Sequence, residues 1–308
     1  MSHPATAAVG RTRVRRDILV PWPSQAMLGL LDRDQDALTG GDPLPLGWHW
    51  FYFREPRPAA ALAADGHEER GGFMPKVDLP RRMWAGGTLR SLRPVLLGEM
   101  AELRSEVRDV KEKQGKSGRL VFVTVGQTVL QDGRECVEEE QTIAYREAAP
   151  GQAAEVGSPA GPDQSKRTSE LSAAWTETFL PTTVTLFQFS ALTWNAHRIH
   201  YDHLYATGQE GYPGLLVHGP LTALLLLAAA DRHAPASPSS FRYRALAPLY
   251  VNQPITLVGR SGAPPFPGDA GGPSRGDADT APRAPGTKER IVEALGPTRT
   301  AAMRGWVA

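Results

Sequence analysis

Leu221 to Ala230 is a run of ten residues whose only polar side chain is Thr222. It is too short to cross a bilayer, which needs about 20 apolar residues, so it reads as a helix buried inside the protein. Whatever fold forms has to wrap this segment. The residues just before it are of the opposite kind: FSALTWNAHRIHYDHLYATGQEGYPGLLVHGP, from Phe189 to Pro220, crowds histidines, an amide, a carboxylate and an arginine against the start of the apolar run. Polar groups beside a buried helix are costly to desolvate, and a fold tolerates them where chemistry needs them.

The individual groups suggest acid–base chemistry on a small electrophile. His200 is the candidate proton shuttle, because only imidazole titrates near neutral pH without perturbation. Asn195 cannot act as a base, but its amide both donates and accepts and so can orient a water. Tyr212, Pro213 and Gly214 read as a turn. Pro220 suits the first turn of a helix, where its missing N–H costs nothing. That places the backbone N–H of Gly219 at a helix N-terminus, where the dipole favours a developing oxyanion. One such donor is worth roughly 3 kcal/mol to a transition state. Water-orienting amide, base and oxyanion donor are the parts needed to add water across a double bond conjugated to a thioester. Other readings stay open for the neighbours. Asp202 either caps a helix beginning near His203 or tunes His200. His218 either hydrogen-bonds backbone or lines a substrate site. His197, His200 and His203 are spaced by three, but the third drifts off any common helix face, so no metal is expected.

The segment resembles the MaoC-like hot-dog hydratases, the R-specific enoyl-CoA hydratase family. Their signature runs Asp-x-Asn-Pro-(Leu/Ile)-His and is followed by Val-His-Gly. The matching positions here are Asn195, His197, Arg198, Ile199 and His200, then Leu215 to Gly219. Together with GFMPKVDLPRRMWAGG, Gly72 to Gly87, the wording is similar to one branch. That branch holds the 3-methylfumaryl-CoA (mesaconyl-type) and itaconyl-CoA hydratases and the mitochondrial type-2 3-hydroxyacyl-thioester dehydratases. The resemblance implies His200 and Gly219 as catalytic residues, with Asn195 standing where the family has its Asp. It implies a coenzyme A thioester as substrate, no separate cofactor, and His197, His218, Tyr201, Asp202 and Trp84 around the substrate. Arg198 stands in the slot of the signature's Pro. A cation beside the catalytic His lowers that imidazole's basicity, a cost that a substrate carboxylate would offset. Arg198, with Arg81 or Arg82, is therefore expected to bind a second carboxylate on the acyl chain; the competing reading pairs it with an internal acid or a CoA phosphate.

Punctuation divides the chain of 308 residues. Residues 1–16 hold Arg11, Arg13, Arg15 and Arg16 and no acid, and read as a solvated basic tail rather than a transit peptide. Residues 17–147 form a first, non-catalytic unit, since no Asn/His pair with a following His-Gly turn occurs there. Trp48, Trp50, Phe73, Met83 and Trp84 are its pocket-lining candidates. Residues 148–166, rich in Ala, Gly and Pro, read as a flexible linker. Residues 167–308 form the catalytic unit, with a low-complexity insertion at about 264–286. Arg119 to Leu130 and Glu135 to Tyr145 are strands joined at Asp132-Gly133, a hairpin signal. Leu89 to Val110 holds further strands, broken at Pro94 and Gly98. Ser240 to Leu249, Ile255 to Arg260, Arg290 to Leu295 and Arg299 to Val307 follow the helix as strands. Periodicity supports α+β; the resemblance implies a tandem (double) hot-dog, each half an antiparallel sheet around a central helix.

The remaining composition narrows the class. A net charge of +1 gives no electrostatic reason to bind nucleic acid or membrane. A single cysteine, Cys136, suits a reducing compartment, cytoplasm or mitochondrial matrix. Gly115-Lys116-Ser117 lacks the first glycine of a phosphate loop, and neither G-x-S-x-G nor G-x-G-x-x-G occurs, which argues against nucleotide and flavin chemistry. The expected activity is a hydro-lyase on an α,β-unsaturated C5 dicarboxylic acyl-CoA such as 3-methylfumaryl-CoA or itaconyl-CoA, in a homodimer or a pseudo-dimeric monomer. The alternatives are a 3-hydroxyacyl-thioester dehydratase of fatty-acid synthesis, a hot-dog thioesterase and a non-catalytic acyl-CoA-binding protein.

Overall fold

A computed structural model describes residues 4–115, 118–147, 173–261 and 290–308. The expected linker at 148–166 and the insertion at about 264–286 lie outside the described residues. Ten antiparallel strands form one continuous sheet in the order β1-β3-β4-β5-β2-β7-β10-β9-β8-β6. The strands are β1 Thr12–Ile18, β2 Arg81–Ser91, β3 Met100–Gly115, β4 Gly118–Gln131 and β5 Arg134–Arg146 in the first half. The second half supplies β6 Trp175–Phe179, β7 Ser240–Ala245, β8 Ile255–Ser261, β9 Arg290–Leu295 and β10 Ala301–Val307. Read outward from the middle, both halves run second, fifth, fourth, third, first strand. The same topology thus occurs twice, and the two copies join where β2 pairs with β7, Gly86 opposite Arg244 through Arg90 opposite Ser240. Gly86 and Gly87 suit that seam: a Cβ on Gly86 would sit 2.7 Å from the Tyr243 carbonyl oxygen, and one on Gly87 2.3 Å from that of Glu140.

The helices are distributed unequally. The first half has α1, Trp22–Leu30, and the second has α2, Thr183–Thr193, and α3, Gly219–Arg232. Residues Leu221 to Ala230 of α3 are all buried. Removing its five leucines from water contributes roughly 2 kcal/mol each. One side of α3 packs on β7 to β10. The other meets the first half, where Gly47 (φ +86) comes so close that a Cβ there would lie 2.9 Å from Leu224. Gly47 leads a single 3-10 turn, Trp48–Phe51. That turn, with Trp48 and Phe51 buried in the same core as α3, closes this side of the helix. The first half therefore keeps the strand order without a long central helix among its described residues.

The hairpin at Asp132-Gly133 forms as expected, with φ of 49 and 72 at the two positions; the four late strands form, but the first ends at Ala245 rather than Leu249 and the last begins at Ala301 rather than Arg299. One expectation is overturned. The basic stretch over residues 1–16 is no solvated tail, since Pro4–Ala8 make a 3-10 turn and Thr12–Ile18 are strand β1, paired with β3. Its arginines are held: Arg13 pairs with Glu55, Arg16 with Glu102, and Arg15 donates to the Phe53 carbonyl. No helix among the described residues is long and apolar enough to cross a membrane.

Candidate active site at the junction of the halves

The site begins with the cap of α3. His218 is its N-cap, in extended conformation (φ −62, ψ 131), and Pro220 lies in the first turn, as its ring requires. The first N–H groups of a helix have no intrahelical acceptor, so Gly219 presents a polarised donor at the dipole's positive end. Trp84 of β2 roofs this position, because a Cβ on Gly219 would fall 2.8 Å from the indole. Trp84 is held in turn by stacking on Tyr243, ring centroids 4.4 Å apart.

A short loop then brings histidines to the cap. α2 is held at its start by Thr182 and Thr185 in a reciprocal capping box and ends at Trp194 in left-handed conformation. The Oδ1 of Asn195 accepts the His197 N–H at 3.0 Å. This turn inside the loop commits the oxygen end of the amide to structure. Arg198 to His200 form one 3-10 turn. The Nδ1–H of His200 donates to the Leu216 carbonyl at 2.9 Å. That bond fixes the tautomer and leaves the Nε2 lone pair as acceptor, the form a general base needs. The His200 ring stacks on His218 at 3.7 Å and meets the edge of His197 at 5.5 Å. His218 Nε2 lies 2.9 Å from Ser190 Oγ, whereas its Nδ1 is buried with no partner among the described residues. It is therefore bound to a side chain of α2, not to backbone.

Burial dominates the electrostatics. It holds His200 at about 4 and His197 at about 2, and pushes His218 well below its ordinary value. The neighbouring imidazoles repel any added proton further. At neutral pH the cluster is uncharged, so His200 is available to accept a proton.

Several side chains expected at the substrate are occupied elsewhere. Arg198 bonds Asp202 at 2.7 Å and the Ala64 carbonyl at 3.1 Å, and covers the Tyr205 ring at 4.2 Å. It pairs with an internal acid, the competing reading of its role. Asp202 Oδ1 takes the Tyr205 N–H at 3.0 Å, so Asp202 is a cap and does not touch His200. Tyr201 is half exposed, with its hydroxyl on the Ala196 carbonyl. Arg81 is buried against Glu210 and lies over the Tyr212 ring. Arg82 alone of the three arginines has no carboxylate partner among the described residues, and its charge lowers both His67 and His197. Of the aromatic candidates in the first half, Trp84 reaches the site. Trp48 packs on Phe51, and Trp50 donates to Glu139.

Two residues at the site went unread in the sequence, Asp65 and His67. They lie in the long connection between α1 and β2, and the Asp65-Gly66 dipeptide was the available turn signal. Asp65 Oδ2 accepts from His67 Nδ1 at 3.1 Å, and the His67 ring lies 4.1 Å from that of His197. Ligand-capable atoms of Asp65, His67 and His197 fall within 4.8 Å of one another, a donor set that a divalent cation could use. One nitrogen of His67 is already bonded to Asp65.

The family model described as hydroxyacyl-thioester dehydratase type 2 matches residues 47–251. Mesaconyl-C(4)-CoA hydratase of Chloroflexus aurantiacus is 41% identical over 267 residues, spanning 87% of this chain and 92% of that protein. A solved MaoC-like dehydratase superposes with a TM-score of 0.66 at 15% identity, covering 99% of both chains. A Mycobacterium tuberculosis protein described as a double hotdog fold gives 0.57 at 14% identity, covering 97% of this chain and 95% of that one. These likenesses establish the tandem hot-dog.

Proposed function

This chain belongs to the hydroxyacyl-thioester dehydratase type 2 family and is a hydro-lyase of acyl thioesters, and from that premise we propose that it hydrates an unsaturated dicarboxylic acyl-CoA of the 3-methylfumaryl (mesaconyl) type. The observation that carries the reading is the His200 tautomer, with Nδ1–H spent on Leu216 and Nε2 left basic beside the Gly219 cap. The thioester oxygen lies on the Gly219 N–H, beside the Trp84 indole. His200 Nε2 takes a proton from a water held by the Asn195 NH2, and the hydroxyl adds to the β-carbon. The enolate that forms is stabilised at the helix terminus. The same imidazole then returns the proton to the α-carbon, so water is added without net change at the enzyme. No separate cofactor takes part in this scheme.

The dicarboxylic substrate is supported by Arg82, a cation of β2 with no carboxylate partner among the described residues and close enough to depress two site histidines. A second carboxylate at that point would offset its effect on the imidazoles. The name of the Chloroflexus relative, a mesaconyl-C(4)-CoA hydratase, points the same way. Loss of the enoyl-thioester absorbance band with 3-methylfumaryl-CoA, and little with crotonyl-CoA, is the expected result. Equal turnover of both would leave a general acyl-thioester hydratase and remove the role of Arg82. Release of free CoA thiol would make it a thioesterase instead.

A further inference from the structure

The second half lacks the carboxylate of its own signature, because position 195 is an amide. The first half brings one to the same place. Gly66 (φ +91) is pressed against the catalytic loop so closely that a Cβ there would sit 1.8 Å from the Ala196 carbonyl oxygen. The Asp65 carbonyl accepts the Arg198 N–H at 2.9 Å, and the Ala64 carbonyl accepts the Arg198 guanidinium at 3.1 Å. Backbone from both halves thus fixes the docking, and it leaves the Asp65 side chain free to serve His67. Its Oδ1 takes the His67 backbone N–H at 2.9 Å while its Oδ2 takes the ring N–H. From there the groups run in file, His67 to His197 at 4.1 Å and His197 to His200 at 5.5 Å.

We propose that Asp65 and His67 are positioning residues of the hydration site, the first half supplying through His197 the negative charge that the second half has lost at Asn195. The step that needs it is the transfer of the water's proton to His200. The imidazolium then forms among groups that resist it: His218 stacked on one face, His197 at the edge and His67 beyond. Asp65 is the one carboxylate that the described residues bring to this file, and its attraction favours the proton on His197. Across a partly buried distance of this kind a single charge changes a rate by roughly ten- to a hundredfold. No proton has to travel along the file, since His200 both receives and returns it.

The inference rests on His200 being the base, so the test includes His200→Gln. Hydration of 3-methylfumaryl-CoA would be followed for Asp65→Asn, Asp65→Glu, His67→Gln and His200→Gln across pH, with thermal midpoints for each. Asp65→Asn should lower kcat by roughly ten- to a hundredfold, leave KM within about twofold, and move the acid limb of the profile to lower pH. Asp65→Glu should restore that limb and part of the rate, and His67→Gln, which keeps the charge but removes its link to His197, should lower kcat without moving the limb to lower pH. A residue of purely structural importance would lower the midpoint and the active fraction but leave the acid limb in place, and that result overturns the proposal. Wild-type kcat in both Asp65→Asn and His67→Gln also overturns it. An active His200→Gln would instead remove the assignment of the base itself. If Asp65→Asn does not fold, kcat of folded His67→Gln decides, and a wild-type value overturns the proposal.

Discussion

Each half buries a polar cluster around a histidine beside the shared sheet, and the two are finished differently. In the first half Glu139 is wholly buried and accepts from His49 Nε2 at 2.7 Å, Trp50 Nε1 at 3.0 Å and Gln141 Nε2 at 2.6 Å. All three donors there have found an acceptor in Glu139. In the second half His200, His218 and His197 are just as buried, yet they stack on one another, and His218 Nδ1 has no partner among the described residues. A satisfied buried network locks one arrangement of the fold. A row of neutral imidazoles contributes little of that kind and costs desolvation. The first cluster is built as architecture, and the second is the one to which the proposed hydration assigns chemistry.

Substitutions can break this contrast in order of size. His200→Gln keeps a side chain able to reach the Leu216 carbonyl; it should leave the fold intact and lower the hydration rate by about a hundred- to ten-thousandfold, as read from the enoyl band. Glu139→Ala should do the reverse. One buried and two partly buried donors lose their acceptor, so denaturant unfolding should show about 3 kcal/mol lost, while the rate per folded molecule falls far less. Acid should weaken the second cluster selectively. His197 and His200 have folded values below the unfolded 6.5, so their neutral burial supports the fold fully above pH 6.5, and the support is lost as pH falls toward 4. At pH 5 the loss from His200 alone is about 2 kcal/mol, visible as a lower thermal midpoint that His200→Gln largely removes. Arg82→Met should raise KM for 3-methylfumaryl-CoA about tenfold, with turnover of crotonyl-CoA unchanged. The smallest effect is none: dialysis against a chelator should leave kcat as it was, and a loss restored by zinc would turn the Asp65, His67 and His197 set into a metal site.

The legible parts of the sequence were those in which local pattern and final environment agree. The apolar run of α3 is buried as it reads, and Asp132-Gly133 makes the turn its dipeptide favours. β1 was misread for a physical reason. TRVRRDI is an edge strand, where charge is the usual protection against unwanted pairing, and three arginines in seven residues look like a tail. α2 was hidden by composition, since TVTLFQFSALT is rich in β-branched and aromatic residues that favour strands, and its capping threonines carry the helix start. In the site, the signature pointed to His200 and Gly219 because its spacing is local, and the structure brings His200 beside His218, the N-cap of the helix that Gly219 opens. Asp65 and His67 reach His197 from more than a hundred positions away, and no periodicity encodes such a meeting. Arg198 follows the competing reading for a different reason: Asp202, four residues on, is within its reach.

The seam between β2 and β7 has a consequence for the order in which the protein is made. β3, β4 and β5 are consecutive hairpins, whereas β2 must wait for β7, which follows all three and the second half's helices. Contacts between distant parts of a chain form slowly, because loop closure has to come first. Asp65, Trp84 and Arg82 lie on one side of that seam, with His200 and Gly219 on the other. During refolding, strand signal should therefore return before catalysis does, and the delay would time the last closure of the sheet.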